Sequence, residues 1–190
     1  MQSEETNTSE PRQPSNFYRL AWVFYLLLAS LAVLWIGKSQ GAIALALFIN
    51  LDAWLSDVAL GLASGIGLVV LWDVSKIFIA GMRQLERELA AQIGSLDSSE
   101  AVALALISGF SEELFFRGAI QLSWGWFWAA VAFTFMHLGA GRVFQWWTLF
   151  ALISAIIFGM LTVFRGNLLP AVIAHSVVNG INLRRLAKLD

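Results

Sequence analysis

Residues 101–122, AVALALISGFSEELFFRGAIQL, form an apolar run broken by Glu112, Glu113 and Arg117. A membrane-spanning helix needs about 20 mainly apolar residues, and this run supplies them. An ionisable residue at mid-bilayer costs about 2.5–3.5 kcal/mol on insertion scales. Three in one span should therefore face a protein interior or a wet cavity rather than lipid. Helix geometry divides their roles. Glu113 and Arg117 stand four residues apart, share a face and can pair. Glu112 lies about 100° round the helix from Glu113. Arg117 can then neutralise one carboxylate and leave Glu112 free to work. A structural Glu113–Arg117 bridge tying helices together is as ready an explanation for those two, but it does not account for Glu112.

The rest of the chain sets this run in a membrane. Of 190 residues, 58% are hydrophobic and 13% charged, with a mean hydropathy of +0.72. A soluble domain carries roughly 25% charged residues, so the deficit points to an integral membrane protein. The pattern predicts an all-α, polytopic transmembrane bundle of about six spans plus one amphipathic surface helix. The spans are Phe17–Ile36, Leu55–Ile79, about Ser99–Leu122, a short Trp124–His137, Trp146–Phe164 and a short Leu168–Leu183. Gly41–Ile49 is apolar but short, and reads as interfacial or re-entrant. Met82–Ser95 is amphipathic and charged, and should lie at the membrane surface. The long apolar runs argue against sheet, since only closed barrels place strands in lipid. The chain divides into a polar tail read as disordered (1–16), an N-terminal group of helices with the surface helix (17–98), and a helical core carrying the polar residues (99–190). The tail lacks a positive start and the apolar run after it is long, so Phe17–Ile36 reads as a retained span, not a signal peptide.

Charge bounds the partners and the topology. A net charge of −1 offers no basic field for nucleic acid. The absence of cysteine excludes disulfides, thiolate metal sites and a cysteine nucleophile. With the N-terminus cytoplasmic and six alternating spans, the cytoplasmic side receives Arg12, Arg19, Lys76, Arg83, Arg87, Arg142, Arg184, Arg185 and Lys188. The outer side receives Lys38 and Arg165. This bias places both termini in the cytoplasm of a plasma or inner membrane. Trp124, Trp126, Trp146 and Trp147 fall near span ends, where such rings prefer the headgroups.

Both histidines of the chain sit in apolar helices. His137 closes the fourth span in FTFMHLGAG, where an interfacial His reaching for the headgroups is the plain alternative. His175 and Asn179 share a helical face in LLPAVIAHSVVNGINL. Their plain alternative is an interhelical hydrogen bond, worth about 0.6 kcal/mol in membranes. Each alternative is reasonable by itself; all together leave several costly polar residues on three helices without a task. Other polar residues read as ordinary. Asp52 and Asp57 sit near an interface, and Asp73 and Lys76 mark a span end. Arg83, Glu86, Arg87 and Glu88 form a solvated face. Asn167 precedes a helix start with Pro170 in its first turn.

Three motifs then coincide. Glu112-Glu-Leu-Phe-Phe-Arg-Gly118 resembles the EExxxR motif of the CPBP family, the CAAX proteases and bacteriocin-processing enzymes also called Abi. Phe133-Thr-Phe-Met-His137 resembles its FxxxH motif, and His175-Ser-Val-Val-Asn179 its HxxxN motif. The order is the family's, on separate spans, and the resemblance covers about Gly109–Leu183. It implies an intramembrane endopeptidase of the glutamate type, acting on a membrane-associated or lipidated peptide or protein. By the same resemblance Glu112 and His137 would activate water, His175 and Asn179 would form the oxyanion site, and Glu113 and Arg117 would support the geometry. No cofactor is expected. Zinc held by Glu112, His137 and His175 is the alternative, although HExxH spacing is absent. Two other functions compete: a non-catalytic membrane scaffold or partner-binding protein of the same fold, and a small proton or ion transporter. The latter lacks the inverted repeats common in such carriers.

Overall fold

The computed structural model describes residues 16–42, 44–93 and 96–189. The tail expected over residues 1–16 lies outside them except for Asn16. Among the described residues there are seven helices and no strand. They are α1 (Asn16–Gln40), α2 (Trp54–Phe78), α3 (Ala80–Ile93), α4 (Ser98–Trp124), α5 (Trp126–Met136), α6 (Gln145–Arg165) and α7 (Leu169–Leu186). The all-α bundle is as the sequence predicts, and the six apolar segments are all helical. Three stretches are long and apolar enough to cross a membrane alone: α1, α2 and Arg142–Arg165, which contains α6. Helix α5, at 11 residues, extends only about 16 Å. Leu20, Phe24, Leu27, Leu31 and Leu34 on α1 are exposed, as a lipid-facing surface requires.

Contacts fix the helix directions. Asp57 near the start of α2 pairs with Arg165 at the end of α6. Arg185 near the end of α7 pairs with Asp73 near the end of α2 at 2.9 Å. The indole of Trp35 on α1 donates to Ser123 on α4 at 3.1 Å. Phe116 on α4 meets Phe133 on α5. Glu113 and Ser108 on α4 meet His175 and Asn179 on α7. Thus α1, α4 and α6 run one way and α2, α5 and α7 the other, the alternation that successive crossings demand.

Helix α7 lies between α2 and α4, and small residues let it come close. A Cβ on Gly61 would lie 2.7 Å from the Pro170 carbonyl oxygen, and one on Gly65 would lie 2.8 Å from that of Ala174. On α4, a Cβ at Gly109 would overlap the Ser176 hydroxyl. Lipid tails are as apolar as the helices, so close backbone packing of this kind holds membrane bundles together. Helix α3 is amphipathic as expected. Met82, Leu85, Leu89 and Ile93 are buried, while Arg83, Arg87 and Glu88 are exposed. Its apolar face joins Trp72, Leu104 and Leu186 in one cluster and closes that end of the bundle. Glu86 departs from the solvated face expected for it and pairs with Lys76 of α2 at 2.8 Å. In the Gly41–Ile49 segment, a short turn at Leu45–Leu47 packs on the start of α7. Its Leu47 carbonyl accepts the Leu168 N–H at 2.8 Å.

Asp57 is the main departure from the ordinary reading. Its side chain is fully buried, ion-paired to Arg165, and accepts a hydrogen bond from Asn167 Nδ2 at 2.8 Å. A buried charge survives only when paired and hydrogen-bonded, and here the partners come from the end of α6 and the turn after it. Asn167 Oδ1 also accepts the Leu169 N–H at 3.0 Å, which fixes the start of α7. Replacing Gly65 with Ala should force α2 and α7 apart. We expect a loss of about 1–3 kcal/mol, read as a lowered thermal midpoint in detergent, whereas the same change at Gly67, whose Cβ would meet open space, should be nearly neutral.

Candidate active site

Helix α4 supplies the centre of the site. Its start is fixed by a capping box: Asp97 accepts the N–H groups of Ser99 and Glu100, and Glu100 accepts that of Asp97. Beyond Glu113 the helix widens into π-helical turns over Leu114–Gln121. From Ser111 to Gln121 every residue except Phe115 is buried, so this stretch is enclosed on nearly all sides. Such turns are uncommon and occur frequently at functional sites.

The buried ion pair read from the sequence is present. Arg117 Nη1 lies 3.0 Å from Glu113 Oε1, and both side chains are fully buried. Arg117 Nη2 donates to the Ala155 carbonyl of α6 at 3.0 Å. The guanidinium also lies 4.6 Å from the centre of the Phe133 ring on α5. Glu113 Oε1 lies 2.8 Å from Nδ1 of His175, whose ring stacks on Phe158. The carboxylate can only accept, so Nδ1 carries the proton and Nε2 is turned to the cavity.

His137 is held differently. It follows the last residue of α5, and its Nδ1 lies 2.8 Å from the Phe133 carbonyl oxygen. That acceptor again assigns the proton to Nδ1. The ring stacks on Phe133, with centroids 4.3 Å apart. Both imidazoles thus present Nε2 to the same carboxylate oxygen. Glu112 Oε2 is 3.8 Å from Nε2 of His137 and 4.0 Å from Nε2 of His175. This oxygen is buried and has no hydrogen-bond partner. Asn179 shares the His175 face, as expected, and its Nδ2 donates to Ser108 Oγ at 2.9 Å. One of its N–H bonds is therefore engaged, and one remains.

These groups line a cavity of about 270 Å³ that runs from Glu112, His137 and His175 past apolar walls to Glu86, Leu89 and Ile93 of α3. All six candidate residues from the sequence meet in or directly behind it. The sequence reading missed Tyr25, Ser108, Trp147 and Ser154, which line the same cavity. Ser108 stands four residues before Glu112, so its shared face was available as a signal. Tyr25 of α1 approaches both Glu112 and Ser108, and no spacing links it to them. Among the described residues no group of three His, Asp or Glu side chains is arranged to hold a metal ion.

Residues 95–181 match the family described as type II CAAX prenyl endopeptidase, Rce1-like. An uncharacterized protein of Bacillus subtilis (strain 168), YpbD, is 32% identical over 82 residues. That alignment takes in 42% of this chain and 42% of YpbD, so it spans less than half the length of that relative. No solved structure matches. The matched segment holds all six candidate residues, whereas Tyr25 lies outside it.

The Glu113–Arg117 pair gives a prediction about stability. Arg117→Met leaves a buried carboxylate without its cation. That change should cost about 3–5 kcal/mol, measured by denaturant unfolding in detergent. The double change Glu113→Gln with Arg117→Met removes the orphaned charge and should recover part of the loss.

Proposed function

We propose, from the premise that residues 95–181 form an Rce1-like segment, that this integral membrane protein is an intramembrane endopeptidase using glutamate-activated water. The observation that carries the reading is the convergence of two imidazole Nε2 atoms on one unpartnered oxygen of Glu112, at 3.8 and 4.0 Å. Such gaps exceed a direct hydrogen bond. They suit one water at about 2.8 Å from each, which donates to Glu112 and to Nε2 of His137 and accepts from Nε2 of His175 when that nitrogen is protonated.

In the proposed reaction Glu112 takes a proton from this water as its oxygen attacks the scissile carbonyl carbon. The new C–O bond forms and the carbonyl electron pair moves to oxygen. The oxyanion is met by the free N–H of Asn179 and by the Nε2–H of His175, whose ring takes this second proton from solvent before the attack and keeps it throughout. The Glu113 carboxylate on Nδ1 then balances the charge of the His175 ring. Collapse breaks the C–N bond, and the proton held by Glu112 passes to the leaving amine. One water is consumed, and a carboxylate and an amine result. His137 orients the water, and Arg117 fixes Glu113. No metal takes part in this scheme; zinc on Glu112, His137 and His175 is the competing form.

The apolar walls of the cavity favour a membrane-associated or lipidated peptide or protein as substrate. The concentration of Arg83, Arg87, Arg142, Arg184 and Arg185 at one end of the bundle, with Lys38 and Arg165 at the other, supports a cytoplasmic N- and C-terminus.

A cleavage assay in liposomes with lipidated and unlipidated peptides tests the reading. Loss of a general base costs about 10²–10⁴ in rate. Glu112→Gln should lower cleavage within that range while the thermal midpoint stays near that of the wild type. Full activity in Glu112→Gln would refute the assignment. Activity should also survive exhaustive chelation; a stoichiometric metal whose removal abolishes cleavage would replace this scheme with the zinc form.

A further inference from the structure

Ser154 of α6 is 5% exposed and lines the cavity beside Glu112, His137 and His175. Its hydroxyl has no hydrogen-bond partner. Serine and threonine inside helices commonly turn the hydroxyl back to the carbonyl four residues earlier. Ser30, Ser75, Thr134 and Thr162 all do so in this protein. Ser154 does not, although Phe150 offers the same acceptor.

Its position on α6 gives that free hydroxyl a meaning. Trp147, Ala151, Ser154 and Phe158 line the cavity at helical spacing and so form one face. At one end of this face the Trp147 ring lies 6.1 Å from that of His137. At the other end Phe158 stacks on His175 at 5.1 Å. Ser154 lies between them, next to Ala155, whose carbonyl takes Arg117. It is the polar residue on an otherwise apolar wall, level with the gap between the two histidines.

We infer that Ser154 is a further catalytic residue, whose Oγ–H donates a hydrogen bond to the scissile carbonyl oxygen of the bound peptide. This rests on the endopeptidase reading above. A buried hydroxyl without a partner is costly to keep. Here a substrate oxygen supplies the partner, and the bond strengthens as negative charge develops on that oxygen. Ser154 thereby adds a donor from α6 to Asn179 and His175, which both belong to α7. No proton leaves Ser154 in the reaction, and no bond to its oxygen forms.

The test compares Ser154→Ala and Ser154→Cys with the wild type in the same liposome assay, alongside thermal midpoints. Removing one oxyanion donor costs about 10²–10³ in kcat in preorganised sites, and Ser154→Ala should lose about 10²-fold. Its KM should move by less than about threefold, because the lost bond acts in the transition state. Its thermal midpoint should hold or rise, since the change deletes an unsatisfied buried group. Ser154→Cys keeps a weak donor of similar size and should fall between the two. An unchanged kcat in Ser154→Ala overturns the inference, as does a raised KM at constant kcat. A loss of activity that tracks a lowered midpoint overturns it too, because that marks a packing role. Absence of cleavage by the wild type is a different failure: it refutes the endopeptidase reading, and the role of Ser154 with it.

Discussion

The Glu113–Arg117 pair is the contact on which the rest of the site depends. One guanidinium joins α4 to the Ala155 carbonyl of α6 and packs on the Phe133 ring of α5. Through Glu113 it also reaches His175 of α7. Four helices are therefore referenced to a single charge. Desolvating two ions is expensive, and their attraction offsets that only with good geometry and added hydrogen bonds. Glu113 Oε2 and Arg117 Nε remain unpartnered, so the pair is far from fully satisfied. Its value lies in position: few arrangements of the four helices leave this arginine both paired and buried.

A second polar knot, at the start of α2, acts on the same helix that carries His175. Asp57, Arg165 and Asn167 fix where α7 begins. Gly61 and Gly65 then set how closely α7 lies against α2. From the opposite side Gly109 admits Ser176. In a bilayer, burial from water does not drive helix against helix, so such steric and polar references carry the positioning. His175 lies between these constraints, five residues past the Gly61 contact at Pro170 and next to the Gly65 contact at Ala174.

Much of this was legible in the sequence, and the reason is the cost of charge in lipid. Glu112, Glu113, Arg117, His137, His175 and Asn179 stood out because apolar surroundings make polar residues conspicuous. Helical spacing then told Glu113 from Glu112, since only Glu113 shares a face with Arg117. Asp57 was misjudged because its partners, Arg165 and Asn167, lie more than a hundred residues away, and no local pattern ties them together. Residues near the ends of spans look interfacial in sequence whether or not a partner covers them. Tyr25 and Ser154 were missed for a related reason. Hydroxyls are cheap enough in helices to attract no notice, and only the packed structure shows which ones face the cavity. The π-helical turns over Leu114–Gln121 of α4 also left no trace in the residue pattern.

The two histidines face one carboxylate oxygen but are held by unlike partners, and that asymmetry assigns their parts in the proposed chemistry. His137 gives its Nδ1 proton to a neutral backbone carbonyl. Its ring gains orientation from this contact and little compensation for charge. His175 gives the same proton to a carboxylate that Arg117 already shares. A positive charge on the His175 ring therefore meets a negative partner at hydrogen-bond distance, and one on His137 does not. Charge-assisted hydrogen bonds are roughly twice as strong as neutral ones. On the endopeptidase reading, His175 is then the histidine suited to donate toward a developing oxyanion, and His137 the one suited to accept from water while staying neutral. Glu112 lies within 4.0 Å of both, where it can take the proton that neither histidine must hold.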